Sequence, residues 1–203
     1  MTLTGLSKAE LTRAAIVDAA VAMAQEAGLE SLTIGTVADR VGLSKSGVFS
    51  RVGSREDLQI AALKEYERRI AEKVLLPALR EPRGLPRLKR VWSAWLDWVR
   101  DQKIDSSCLF ISGAVEFDDR PGPVRDAVLS GLSEWRRQLA RAVKQAVDEK
   151  HLRADTDPEQ VAFELFSIIY AVHNDVRLFR DSRAFARARV AFDRLMRDYS
   201  ADA

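Results

Sequence analysis

The segment from Thr33 to Arg55, TIGTVADRVGLSKSGVFSRVGSR, constrains this chain more than any other, because its residues suit two short helices that cross closely. Ala38 puts a small side chain at the middle of the first helix, where a larger one would push the pair apart. Gly42 follows one turn later, where a left-handed backbone is cheap only without a Cβ. Val37, Val41, Leu43 and Val48 are spaced to fill the gap between this pair and a preceding helix. Ser44 is placed to cap the second helix and aim its first amides outward. Ala-x-x-x-Gly alone occurs in many amphipathic helices; the joint occurrence of small residue, turn glycine, apolar fillers and cap is what reads as a helix-turn-helix, a frame that lays its second helix in the major groove of DNA.

Bulk charge does not announce such a role. The formal net charge is +2 over 203 residues, and the first 60 carry six Lys/Arg against seven Asp/Glu. Within residues 43 to 55, however, Lys45, Arg51 and Arg55 stand without any acid, and a local cationic patch is what phosphate contact requires. With 47% of its residues apolar the chain can bury a real core. The N-terminus lacks the basic cluster and apolar run of a signal peptide, and no apolar stretch approaches the roughly 18 residues needed to span a bilayer. The expected location is cytoplasmic, with no membrane partner. Cys108 is the only cysteine, and His151 and His173 are the only histidines, so neither a disulfide nor a conventional zinc site is expected.

Helical periodicity runs through the whole chain, with weak strand signals, so the expected fold is all-α. A first helix is expected from about Ser7 to Ala27, with Ser7 and Glu10 as a capping box, Ile16, Ala19, Ala20, Met23 and Ala27 on its inner face and Gly28 ending it. The paired helices follow, from Thr33 to Gly42 and from Ser44 to about Arg51. Ser54 caps a long helix with Glu56 and Asp57 in its first turn, running to about Leu76 before Pro77. The segment EPRGLP is the best linker candidate. Further helices are expected near 86 to 101, 107 to 117, 123 to 150, 158 to 180 and 183 to 199, separated by the IDSS, DDRPGP and RADTDP stretches and by Asp181-Ser182. The expected organisation is a three-helix head at 1–53 and a helical body at 54–203, joined by the connecting helix 54–76.

Arg13, Ile16 and Ala20, then Gly28, then LTIGTVADRVGLSKSGVFSRVGSREDL resemble the head of a TetR-family transcriptional regulator. The resemblance covers residues 9 to 60. It implies that the segment starting at Ser44 is the recognition helix, that Ser44, Lys45, Ser46, Ser50 and Arg51 face the major groove, and that Thr33 and Arg55 hold phosphates from helix starts. Gly47 permits close approach of the backbone to DNA. Phe49 is counted with this interface, although packing is the commoner role of such a ring. The sequence departs from the family pattern where Phe49 replaces a usual Tyr, Arg51 a common His and Val52 a usual aromatic. Lys45 and Arg51 are the cations of this helix and are expected to contact phosphate or guanine, against the alternative of solvated surface charges.

In the body, Leu85, Leu88, Trp92, Trp95, Leu96 and Val99 share one helical face. Phe110, Phe117, Trp135, Leu139, Val143, Phe163, Phe166 and Tyr170 are also expected inward. The resemblance assigns this region to a ligand pocket, which Trp92, Trp95, Phe110, Phe117, Trp135, Phe166, Tyr170 and His173 would line; plain core packing is the competing reading for each ring. Glu116, Asp118 and Asp119 invite a hard-cation site, against the commoner role of adjacent acids at a helix end. The resemblance makes the last two helices a dimerisation element, with Val161, Leu165, Ile168, Val172, Phe192 and Leu195 in the interface. Burial within one subunit is the alternative. The arginines between 177 and 197 interleave with Asp175, Asp181, Asp193 and Asp198, as in a salt-bridged rim.

The expected function is a homodimeric repressor that holds a palindromic double-stranded operator and is released by a largely apolar small-molecule effector. In the family the long helix after the head carries that signal. An enzyme is the second hypothesis, and the sequence argues against it, since it offers no Gly-rich phosphate loop after a strand and no nucleophile with its base. A ligand- or protein-binding module whose head has lost DNA affinity is the third. No cofactor is expected.

Overall fold

The computed structural model describes residues 7–102 and 107–201. These are helical throughout: α1 (Lys8–Ala27), a short 3-10 turn (Leu29–Ser31), α2 (Ile34–Val41), α3 (Lys45–Val52), α4 (Arg55–Ile70), α5 (Leu85–Asp101), α6 (Leu109–Phe117), α7 (Pro123–Asp148), α8 (Pro158–Arg177) and α9 (Ala184–Asp198). Among the described residues no strand forms beyond one isolated antiparallel bridge, Leu152 to Ser200. Helix ends fall within a few residues of the expected ones because the caps that mark them are real. The break expected at IDSS has Ile104, Asp105 and Ser106 outside the described residues. The chain packs as two compact units, Met1–Arg68 with Asp105–Gly131 and Arg69–Ile104 with Leu132–Ala203.

In the first unit, Ser7 and Glu10 form the expected capping box: the Glu10 amide donates to Ser7 Oγ (3.3 Å) and the Ser7 amide to Glu10 Oε2 (2.7 Å). The inner face of α1 is the expected one at Ile16 and Ala20 but not at Ala19, Met23 and Ala27. Ile16, Val17, Ala20, Val21 and Ala24 are buried, whereas Ala19 and Met23 are half-buried and Ala27 is exposed. The bulkier Val17 and Val21 take the core side, and the face turns by one residue. Leu29 and Leu32 are fully buried below it, each worth about 1.5–3 kcal/mol. Val37, Ala38 and Val48 fill the head as expected, but Leu43 is 38% exposed and Val41 half-buried. The Leu43 amide closes α2 on the Ala38 carbonyl (3.0 Å), and this cap geometry leaves the Leu43 side chain facing solvent. Two glycines set how closely α6 packs: a Cβ on Gly113 would stand 2.8 Å from Leu29 Cδ1, and one on Gly131 of α7 would overlap the Phe110 ring.

In the second unit, Pro77 does not stop the connecting helix. A π-helical turn (Ala71–Leu75) and a last short turn (Leu76–Ala78) carry the chain past it, with the Leu76 amide bonded to the Ala71 carbonyl. The widened turn takes up the mismatch that proline's missing N–H and its ring impose. EPRGLP is a turn inside this unit rather than a linker: Arg83 pairs with Asp148 (2.9 Å) and Glu149 (3.2 Å), and the Leu85 amide donates to His151 Nδ1 (3.2 Å). Leu88, Trp92, Trp95 and Leu96 of α5 are buried as expected, joined by Val91 and Ala94. Phe163, expected inward, is 54% exposed on α8. Asp157 caps α8 through the Glu159 amide (2.9 Å), with Pro158 in its first turn.

Candidate nucleic-acid interface

Each of the two short helices is started by a hydroxyl cap. Thr33 Oγ1 accepts from the Thr36 amide (3.0 Å) and Thr36 Oγ1 from the Thr33 amide (3.1 Å), so α2 begins in a reciprocal box. Ser44 Oγ accepts from the Gly47 amide (3.0 Å) and starts α3. Between them Gly42 sits in the left-handed region (φ 68°, ψ 33°), the conformation for which a missing Cβ was expected. Ala38 is buried at mid-α2, which lets the helices meet.

Val48 and Val52 are the buried residues of α3. At about 100° per residue, Ser46 and Ser50 stand opposite them, with Gly47 and Phe49 on either flank. Ser44, Lys45, Ser46, Phe49, Ser50 and Arg51 are all exposed, spread around α3 on either side of Ser46 and Ser50. The Lys45 stem lies over Gly35: a Cβ there would be 3.2 Å from Cε and 3.6 Å from Nζ. Its ammonium therefore stands beside the exposed N-terminus of α2 and Thr33, an arrangement suited to a phosphate. Arg51 folds back along its own helix, donating to the Gly47 carbonyl (2.9 Å).

Arg55 is placed differently from the rest. Its Nε donates to the Leu32 carbonyl (2.8 Å), another of its nitrogens to the Glu30 carbonyl, and its guanidinium pairs with the Glu30 carboxylate (3.2 Å). The residue expected to hold a phosphate is thus bound to the turn between α1 and α2. Three more side chains fasten the same turn: buried Gln59 donates to the Leu29 carbonyl (2.8 Å), Glu116 Oε2 accepts from the Glu30 amide (2.7 Å), and Arg120 pairs with Glu30 (3.2 Å). Glu116 thereby serves as a backbone clamp rather than as the cation ligand considered for it. Sequence reasoning missed this role because its partner lies 86 residues away. For Gln59 a signal existed, a polar residue on the apolar Leu58–Ala62–Leu63–Tyr66 side of α4.

Residues 16–62 match the family of bacterial regulatory proteins, tetR family, and residues 84–192 match the tetracyclin repressor-like C-terminal domain. The chain belongs to the TetR family. Its members are transcriptional regulators that bind DNA. No curated protein sequence matches the chain significantly. Among solved structures, it is similar to a TetR-family transcriptional regulator from Streptomyces coelicolor (TM-score 0.82, 18% identity, 94% of this chain and 97% of that one). A TetR transcriptional regulator from Chloroflexus aurantiacus gives a TM-score of 0.82 at 18% identity, covering 94% and 95%. AibR in complex with isovaleryl coenzyme A and operator DNA gives 0.64 at 19% identity, covering 80% and 85%. At these identities the likeness is one of fold.

The rings expected around a ligand fall in both units. Phe110 and Phe117 belong to the first unit; Phe110 packs against Tyr66 (6.1 Å between centroids) and Gly131, and Phe117 lies under Arg120 (5.9 Å). Cys108 is in that unit too, its thiol pushed up by burial and so protonated. Trp92, Trp95, Trp135, Phe166, Tyr170 and His173 belong to the second. There Trp92 stacks on Phe192 (5.1 Å, 14°) beside Trp95, and Phe166 meets Tyr170 edge-on (5.1 Å). Trp92 Nε1 is buried and meets no acceptor among the described residues. Burial and the nearby Arg177 lower the His173 pKa to about 4, so its ring is neutral at neutral pH.

The apolar stripe expected to form a dimer interface lies largely inside one subunit. Val161, Leu165, Val172, Phe192 and Leu195 are buried against their own chain, and Ile168 is half-buried. The large apolar side chains that α8 and α9 leave exposed are Phe163 and Val190, with Leu178 and Phe179 in the turn between them. Around that turn Asp181 pairs with Arg183 and Arg187 (both 2.9 Å), the salt-bridged rim that the interleaved charges implied. Hydrogen bonds from Arg183 hold the Asp181 carboxyl well below the usual range. Among the described residues, no helix is long and apolar enough to cross a membrane.

Proposed function

We propose that this protein is a homodimeric repressor that grips a palindromic operator through α2 and α3 and lets go when a small, largely apolar molecule enters its second unit. The observation that carries the DNA half is α3 itself, where Ser46 and Ser50 stand opposite buried Val48 and Val52 with Gly47 and exposed Phe49 on the flanks. Thr33 and Lys45 at the start of α2 supply phosphate contact, and Ser44, Ser50 and Arg51 complete the groove-facing set. The role places the protein in the cytoplasm, where the operator is.

The effector half rests on the six candidate rings in the second unit, Trp92, Trp95, Trp135, Phe166, Tyr170 and His173, and above all on Trp92. A buried indole N–H without an acceptor costs about 1–3 kcal/mol, which a carbonyl or ether on a bound ligand would recover. AibR, of the same fold, is described with both an acyl coenzyme A and operator DNA, which supports one chain serving both roles. Dimerisation is assigned to the outer surfaces of α8 and α9, through exposed Phe163 and Val190 and half-buried Ile168.

Selection of bound fragments from genomic DNA tests this reading. An enriched palindrome is expected, and Arg51→Ala lowers affinity for it in a gel-shift titration. Recovery of no enriched palindrome refutes operator binding.

A further inference from the structure

The exposed side chains of α3 are small hydroxyls, the two cations Lys45 and Arg51, and one large apolar ring. Phe49 is 58% exposed, and no ring or cation contact holds it among the described residues. Its neighbours on that helix have local partners: Lys45 lies over Gly35, Ser44 caps α3, Ser50 donates to the Gly47 carbonyl (3.0 Å) and Arg51 folds onto the same carbonyl. Packing, the ordinary use of a phenylalanine, does not account for this one.

Resting on the operator-binding reading above, we infer that Phe49 is a specificity residue that reads the C5-methyl group of a thymine in each operator half-site. A phenyl ring has no donor or acceptor, so it gains nothing from a phosphate oxygen or a base-edge amine or carbonyl. The one apolar feature that unmodified DNA presents in the major groove is the thymine methyl. Phe49 lies three residues, about 60° around the helix, from Ser46, on the flank of the surface opposite the buried face, so a helix inserted by that surface carries the ring along one side of the groove. The flanking Gly47 lets the helix approach closely, and the hydroxyls beside the ring are shorter than it. Contact with one methyl removes from water an area comparable to a single buried methylene, which corresponds to a preference of about fourfold per half-site and about fifteenfold for two.

The test uses the full-length protein and its selected operator. Each thymine of the half-sites is replaced in turn by deoxyuridine, which deletes only the methyl group. One symmetric thymine pair is expected to lose about fifteenfold in affinity when both members are replaced, while the other pairs change little. Phe49→Ala is expected to bind the thymine and uracil operators equally, and, because the ring is exposed, to keep the parent melting temperature. Phe49→Leu, which keeps an apolar tip, retains part of the discrimination. If the alanine variant fails to fold, the uracil series on the unaltered protein decides the matter alone. An operator indifferent to every uracil, or half-sites lacking thymine, overturns the assignment of Phe49 while leaving operator binding intact. Absence of any operator overturns both.

Discussion

The imidazole of His173 is kept neutral because half-burial strips water from its charged form and Arg177 adds a like charge nearby. A base whose folded pKa lies near 4 and whose unfolded value is 6.5 takes up its proton more readily in the unfolded chain. The stability it contributes is complete above pH 6.5 and is lost as the pH falls toward 4. Melting temperatures followed across that window should drop with acid, and His173→Gln should flatten the fall. At Gly131 the constraint is steric. Gly131→Ala drives a methyl into the Phe110 ring and should cost about 1–3 kcal/mol by denaturant titration, with the secondary structure unchanged. Residues whose role is local are legible in the sequence: Ala38, Gly42 and Ser44 act within one or two turns of themselves. Leu43 is not, since its exposure follows from the cap that its own amide makes.

At the scale of elements, start signals hold, and stop signals hold at Gly28 and Gly42 but not at Pro77. Ser7, Thr33, Ser44 and Asp157 start the helices they are expected to start, because a side-chain acceptor and the amides it satisfies are separated by two or three residues. Pro77 reads as an end, yet a π-helical turn absorbs it, a solution that leaves no mark in residue spacing. The fastening of the 29–32 turn is equally hidden, as Glu116, Arg120, Arg55 and Gln59 reach it from distant parts of the chain. Glu116 behaves there as a cap supplied from another helix. Glu116→Ala should therefore cost about 1–2 kcal/mol and quicken amide hydrogen exchange at Leu29 and Glu30, while exchange in the middle of α8 stays as it was.

For the whole molecule, the wide apolar stripe of α8 and α9 is visible in the sequence, but its allocation is not. Periodicity cannot tell a face buried by its own subunit from one buried by a second copy, and Val161, Leu165 and Phe192 prove to be the former. The proposed dimer then depends on side chains left outside. Phe163→Glu combined with Val190→Glu should yield a monomer by sedimentation velocity, with a melting temperature close to the parent's and operator affinity reduced by at least about a hundredfold, since one half-site is lost. Arg55 has a different consequence at this scale. With its guanidinium bound to the 30–32 turn and Arg40 of α2 paired with Glu26 (3.2 Å), the cations left on α2 and α3 for the reading surface are Lys45 and Arg51. Two phosphate contacts per subunit displace few condensed counterions, and a dimer's binding constant should fall with salt on a log–log slope of only about −4. Such a head stays on its operator at ionic strengths that strip more basic proteins from DNA, and it lingers little on any other sequence.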